Sequence, residues 1–205
     1  MANIITLLRY PLLFIFIAIQ YSGGPSLKLW SVPFILFIIL MDSLDGIIAR
    51  HRQETSLLGS VLDIATDRTL EFLLWVVFAD VDAIPVMVPL IVITRGVSVD
   101  AVRSVGMQYG EAAFDQPESP ISRFLVSSRF MRSSYGFVKA VSFSLLTLYT
   151  GLLAGGSPWS GSVHTLALIF TWTSVAYCLL RGIPVLIEGY ATLRRKDQAG
   201  NGSQK

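Results

Sequence analysis

Charge and cysteine are both scarce in this sequence. Of its 205 residues, 15% are charged, and the formal net charge is +2, a balance that gives no basis for nucleic-acid binding. The single cysteine, Cys178, excludes an intramolecular disulfide and a cysteine-rich metal site. Apolar residues make up 53% of the chain and its mean hydropathy is +0.61, which is too apolar for a soluble domain of this length.

Long apolar segments recur along the whole chain. Each approaches the ~20 residues that a helix needs to cross a bilayer, so the sequence predicts an all-α, polytopic membrane protein with about six transmembrane helices. We predict one membrane domain over residues 1–190 and a polar C-terminal tail over 191–205. The predicted spans are 10–21, 29 onward into an acidic segment, 57–78, 85–103, 137–153 and 163–187.

Basic residues fall on one side of these predicted spans. Arg9, Arg50, Arg52 and the arginines between 103 and 132 share that side with the C-terminal basic cluster, whereas the opposite loops contain Lys28 and little other positive charge. The positive-inside tendency assigns this side to the cytoplasm. We therefore expect an integral protein of the lipid bilayer, in the plasma membrane if it is bacterial, whose active site faces the cytoplasm.

Four aspartates lie close together in the sequence. Asp42 and Asp45 are three residues apart, and Asp63 and Asp67 are four apart, so each pair shares one face of a helix. A short polar turn joins the two segments, and the helices should pack antiparallel with their acidic faces opposed. Acids in a membrane mark functional sites, and carboxylate oxygens prefer hard cations such as Mg²⁺, Mn²⁺ or Ca²⁺. Four of them suffice for a paired-metal site that serves phosphoryl transfer.

Small residues and an arginine accompany the acids. Gly46, Ala49 and Gly59 leave a groove in which a flat ligand can approach the backbone. Arg50, one turn after Gly46, has the planar fork that binds phosphate. The alternative role for Arg50 is an anchor among lipid headgroups at the helix end.

These residues together follow the pattern D-x2-D-G-x2-A-R-x8-G-x3-D-x3-D from Asp42 to Asp67. The pattern resembles the signature of the CDP-alcohol phosphatidyltransferases, membrane enzymes that transfer a phosphatidyl-type group from a CDP-linked lipid to an alcohol and release CMP. The resemblance implies that the four aspartates bind a divalent metal, two ions of Mg²⁺ or Mn²⁺, and that Asp67 also acts as the catalytic base. It further suggests a homodimer. The CDP contacts that it implies are Gly46, Ala49, Arg50 and Gly59.

The N-terminal residues Asn3, Thr6 and Arg9 are spaced three apart. This stretch resembles a polar N-terminal segment of many family members that lies near the nucleotide, which makes Asn3 and Thr6 candidate CDP contacts. The alternative is an ordinary helix start with Arg9 as an anchor.

Three further basic residues bear on the acceptor alcohol. Arg95 and Arg103 lie on roughly one face of the fourth span, and Lys139 opens the fifth. Their surroundings resemble the phosphatidylglycerophosphate synthase branch, which implies a basic pocket for the phosphate of glycerol 3-phosphate. Gly96 departs from that branch, where glutamate is usual. Arg95 pairing with Glu71 inside the bundle is the alternative, and inositol phosphate or another alcohol is the alternative acceptor.

Two hypotheses of other classes are open. The acids would suit a small cation transporter, which would conduct cations and be indifferent to CDP, yet transport gives no reason for Gly46, Ala49, Arg50 and Gly59 at these spacings. The second is a non-catalytic structural member with a decayed site, against which the complete set of acids argues.

Overall fold

Six α-helices make up nearly all of the described chain. The computed structural model describes the backbone of residues 2–52, 57–108, 124–126 and 128–202, and the side chains of 6–41, 59, 61–104, 124–126, 128–191 and 194. Within these ranges no residue is in a strand, so the all-α prediction is confirmed there. The helices are α1 (Ala2–Ser22), α2 (Pro25–Arg52), α3 (Leu57–Asp80), α4 (Met87–Gln108), α5 (Arg129–Ala154) and α6 (Ser160–Gly202).

Two of these helices end in the same way. Asp82, after α3, has φ 57°, and Gly156, after α5, has φ 65°, the left-handed backbone that closes a helix. The amide that follows each one donates back to a carbonyl of the last turn. Ala83 N donates to Phe78 O at 2.9 Å, and Ser157 N donates to Leu152 O at 3.0 Å. These turns satisfy carbonyls at the helix ends and reverse the chain between neighbouring helices.

The described contacts divide the chain into two compact units. The first unit consists of Met1–Pro89 and Val138–Trp172, and the second of Leu90–Phe137 and Thr173–Lys205. In the first unit α1 packs against both α2 and α3. Its core contains an aromatic cluster in which Phe78 lies 6.3 Å from Phe16 and 6.1 Å from Phe143, and Phe143 lies 4.5 Å from Trp75, between ring centroids.

A buried polar network joins three helices of the first unit. Gln20 of α1 is 1% exposed; its Nε2 donates to Ser31 Oγ of α2 at 2.9 Å, and Thr150 Oγ1 of α5 donates to its Oε1 at 2.8 Å. Nearby, Gly151 allows α5 to approach Leu29 of α2, where a Cβ would lie 2.9 Å from the leucine Cδ2. Small residues and interhelical hydrogen bonds of this kind are typical of helices that pack within a membrane.

The outward faces of the helices are apolar. Large hydrophobic side chains are exposed along them, among them Phe14 at 60% and Trp30 at 75%, as expected of helices that face lipid rather than water. Among the residues that the structure describes, two helices are long and apolar enough to cross a bilayer, Arg129–Ala154 and Ser160–Ala191, and shorter apolar helices cover Thr6–Ser22 and Pro25–Met41. A membrane protein is supported, and six crossings stay a prediction.

Candidate active site

Helices α2 and α3 carry the acidic signature, as the spacing predicts. The backbone of α2 is helical through Asp42 and Asp45, and that of α3 through Gly59, Asp63 and Asp67. The N-terminal stretch likewise lies on α1. The side chains of six candidate residues lie outside the described set: Asn3, Asp42, Asp45, Gly46, Ala49 and Arg50.

Three acids follow one another on a single face of α3. Asp63, Asp67 and Glu71 are spaced by four residues, so they stack one turn apart. Asp63 is exposed and Asp67 half-buried, whereas Glu71 is 4% exposed. The row therefore runs from an accessible end into the interior, and its members meet different surroundings.

The accessible end of this row has the right chemistry for a divalent metal. Asp63 and Asp67 offer carboxylate oxygens one turn apart, and these are the donors that Mg²⁺ and Mn²⁺ prefer. The described side chains contain no group of three or more potential ligands, and they include only two of the four signature aspartates. The two carboxylates on α3 thus fit a metal site in which further oxygen ligands would complete the coordination shell.

The buried end of the row is neutralised by the protein. Glu71 Oε2 lies 3.1 Å from Lys139 Nζ of α5 and 3.7 Å from Arg68 Nη1. The side chains of Lys139 and Arg68 are 17% and 24% exposed. Because a buried carboxylate needs such partners, Glu71 is a counter-ion within the first unit. The sequence predicts that Lys139 binds the acceptor; in the structure its described contact is this ion pair with Glu71.

Two of the N-terminal candidates are buried on the helix next to the signature. Thr6 is 4% exposed and Arg9 is 2% exposed, and α1 packs against both α2 and α3. An arginine so deeply enclosed does not have the exposed position of a headgroup anchor. The burial of Thr6 and Arg9 brings polar groups of α1 into the interior of the unit that carries the signature.

Four arginines gather in the second unit. The Arg181 guanidinium of α6 is within electrostatic reach of Arg95, Arg103 and Arg132. Arg181 Cζ also lies 5.5 Å from the centroid of the Tyr135 ring, a cation–π contact. The Nε atoms of Arg95 and Arg181 are buried, and neither has a hydrogen-bond partner among the described residues.

This arginine cluster has the chemistry of an anion site. Arg95 and Arg181 are like charges with buried Nε atoms, and a bound anion would offset their repulsion. Phosphate matches the planar donors of arginine especially well. Arg95 and Arg103 are both predicted for the acceptor and lie in this cluster. The sequence interpretation missed Arg181, although an arginine inside the apolar segment 163–187 is itself a signal of function.

Comparison with known proteins gives a family. The sequence model described as CDP-alcohol phosphatidyltransferase matches residues 1–180, which include the whole signature. The chain is similar to a protein of Mycobacterium tuberculosis (strain CDC 1551 / Oshkosh) named "Probable phosphatidylglycerophosphate synthase", with 24% identity over 186 residues, covering 89% of this chain and 78% of that protein. A protein of the same name from strain ATCC 25618 / H37Rv matches with the same identity and coverage.

Proposed function

The chain belongs to the CDP-alcohol phosphatidyltransferase family, and from that premise we propose that its acceptor is glycerol 3-phosphate. Membership makes it a membrane transferase of phospholipid biosynthesis, which moves a phosphatidyl-type group from a CDP-linked lipid to an alcohol.

The four aspartates of the signature are the proposed centre of catalysis. Asp42, Asp45, Asp63 and Asp67 would hold two ions of Mg²⁺ or Mn²⁺. Bound metal would neutralise the CDP pyrophosphate and polarise the phosphorus that is attacked. Asp67 would accept the proton of the acceptor hydroxyl as the new oxygen–phosphorus bond forms and the bond to CMP breaks. The exposure of Asp63 and the half-buried position of Asp67 suit groups that must meet ligands.

The proposed nucleotide site draws on three helices. Gly46, Ala49 and Gly59 would give the backbone groove, and Arg50 would bind phosphate. Thr6, buried on α1, would complete the site with Asn3. We further propose a homodimer whose active site faces the cytoplasm.

The arginine cluster of the second unit carries the acceptor assignment. The Nε atoms of Arg95 and Arg181 are buried without a hydrogen-bond partner among the described residues. The phosphate of glycerol 3-phosphate would bring an anion to these two guanidinium groups, whereas an acceptor without phosphate would not. The name of the mycobacterial relatives agrees with this acceptor. Inositol phosphate is the alternative, since it offers the same anion. For Lys139 the acceptor role stays a prediction.

The test is acceptor-dependent release of CMP. Purified protein in lipid would be given CDP-diacylglycerol, Mg²⁺ or Mn²⁺, and one of glycerol 3-phosphate, inositol phosphate, inositol, serine or no acceptor. We expect release with glycerol 3-phosphate, its abolition by chelation of the metal, and a loss of about 10²–10⁴-fold in Asp67→Asn. The melting temperature of Asp67→Asn serves as the control for folding.

Other results would overturn parts of the proposal. Release with inositol phosphate in place of glycerol 3-phosphate would reassign the acceptor and keep the phosphate site. Release with serine or inositol would contradict the role of the arginines. Cation flux through protein that does not bind CDP would favour the transporter hypothesis instead.

A further inference from the structure

Gly182 of α6 lies against the side chain of Arg95 from α4. A Cβ on Gly182 would overlap the Arg95 Nε and lie 2.7 Å from its Cγ and 2.9 Å from its Cδ. These distances are shorter than real Cβ atoms show, so no residue larger than glycine fits while Arg95 keeps this position. The glycine therefore leaves a channel along α6 that the arginine side chain occupies.

The next residue back on α6, Arg181, is held by aromatic rings. Its guanidinium lies over the Tyr135 ring, and Tyr135, which is 8% exposed, stacks on Tyr177 at 6.4 Å between ring centroids. Rings packed in this way have few rotamers open to them, so they fix the cation that lies on them. Arg95 is thus positioned by the missing Cβ of Gly182, and Arg181 by Tyr135.

Two arginines from different helices are in this way held near each other before any ligand arrives. Their mutual repulsion and their buried Nε atoms disfavour the arrangement in the free protein, and flexible arginines would otherwise turn towards solvent. Side chains already held in the binding geometry lose less entropy when the anion binds.

We propose that Gly182 is a positioning residue for the acceptor phosphate, because only a glycine there lets Arg95 lie beside Arg181 as one half of a two-arginine clamp. This inference rests on the proposed function, since it specifies how the phosphate of the acceptor is held. It makes Gly182 a determinant of acceptor binding although the residue has no side chain to contact the ligand.

The test compares two glycine-to-alanine variants on the same helix. Gly182→Ala adds the methyl group that displaces Arg95, whereas Gly161→Ala adds it where nothing lies within 4 Å. We expect Gly182→Ala to raise the KM for glycerol 3-phosphate about tenfold, the loss of one charged hydrogen-bonding partner. The KM for CDP-diacylglycerol and the melting temperature should match those of Gly161→Ala.

A double-mutant cycle isolates the contact between the two residues. Arg95→Ala removes the side chain that the new methyl group would displace, so Gly182→Ala should change the acceptor KM no further in that background. Equal acceptor KM values for Gly182→Ala and Gly161→Ala would overturn the inference. So would an additive effect of Gly182→Ala and Arg95→Ala.

Binding of inorganic phosphate separates this inference from the choice of acceptor. We expect phosphate to raise the melting temperature of the wild type and of Gly161→Ala at a concentration about tenfold lower than Gly182→Ala requires. If that difference appears while glycerol 3-phosphate fails to release CMP, the acceptor assignment is wrong and the role of Gly182 stands. If phosphate acts equally on all three proteins, the role of Gly182 is wrong.

Discussion

Replacing Glu71 by glutamine should destabilise the protein more than replacing its partner Lys139 by methionine. Glu71 is 4% exposed and lies 3.1 Å from Lys139 and 3.7 Å from Arg68. Glutamine removes the charge that both cations face, whereas Lys139→Met leaves Arg68 beside the carboxylate. Loss of the Glu71 charge should therefore cost more stability than loss of the Lys139 charge.

The size of the expected loss of stability in Glu71→Gln follows from the burial of the ion pair. Breaking a fully buried pair by removal of one partner costs about 3–5 kcal/mol, and the 17% and 24% exposure of the two basic side chains places Glu71→Gln near the lower end, at roughly 3 kcal/mol. For a chain of this size that is a fall of about 6–12 °C in melting temperature. Lys139→Met should cost about half as much.

Thermal unfolding in one detergent would measure these differences. The double variant Glu71→Gln/Lys139→Met should melt above Glu71→Gln, because the ammonium that glutamine leaves uncompensated is gone. Glu188→Gln, at a half-buried position of α6, is the matched control and should shift the melting temperature less. If Lys139→Met melts below Glu71→Gln, or if the double variant is the least stable of the three, the ion pair is not arranged as described.

Two further variants probe the packing of the first unit. Gly151→Ala should lose about 1–3 kcal/mol of stability, because its Cβ would lie 3.1 Å from the Leu29 backbone nitrogen, and a backbone atom cannot move aside as the end of a side chain can. A melting temperature at or above that of the wild type would contradict this close approach. Gln20→Leu should cost about 0.5–1.5 kcal/mol by removing the hydrogen bonds to Ser31 and Thr150, because both hydroxyls keep a bond to a backbone carbonyl. No loss of stability in Gln20→Leu would refute the role of this network.

The sequence predicted the helices well because each is a separate local signal. The apolar segments 10–21, 57–78, 137–153 and 163–187, predicted as spans, each lie within one helix of the structure. The predicted helix boundaries were less accurate where polar residues continue the helix. Helix α5 begins at Arg129 and not near residue 137, and α6 continues to Gly202, beyond the predicted end at residue 187. Hydropathy detects apolar side chains, whereas the backbone stays helical through arginine and serine as well.

The partner of a side chain on a distant helix is harder to predict from sequence than the helix itself. The spacing of Asp63 and Asp67 on one face needed only the helical period, but nothing local in the sequence pairs Glu71 with Lys139. For Arg181 the apolar surroundings are a sequence signal of function, but its neighbours Arg95 and Tyr135 lie on other helices. Residues whose roles depend on tertiary neighbours become visible only when the helices are assembled.

Burial separates roles that residue type alone leaves equal. Asp67 and Glu71 are both carboxylates on one face of α3, one turn apart, yet Asp67 is half-buried while Glu71 is enclosed between Lys139 and Arg68. An acid enclosed between basic side chains is not open to a metal ion, whereas a carboxylate nearer to solvent is accessible to a cation. The proposed division of the row into ligands and a counter-ion is therefore a consequence of depth in the protein. It assigns catalysis to Asp67 and structural stability to Glu71. Of these two variants, Glu71→Gln should therefore lower the melting temperature more, and Asp67→Asn should lower CMP release more.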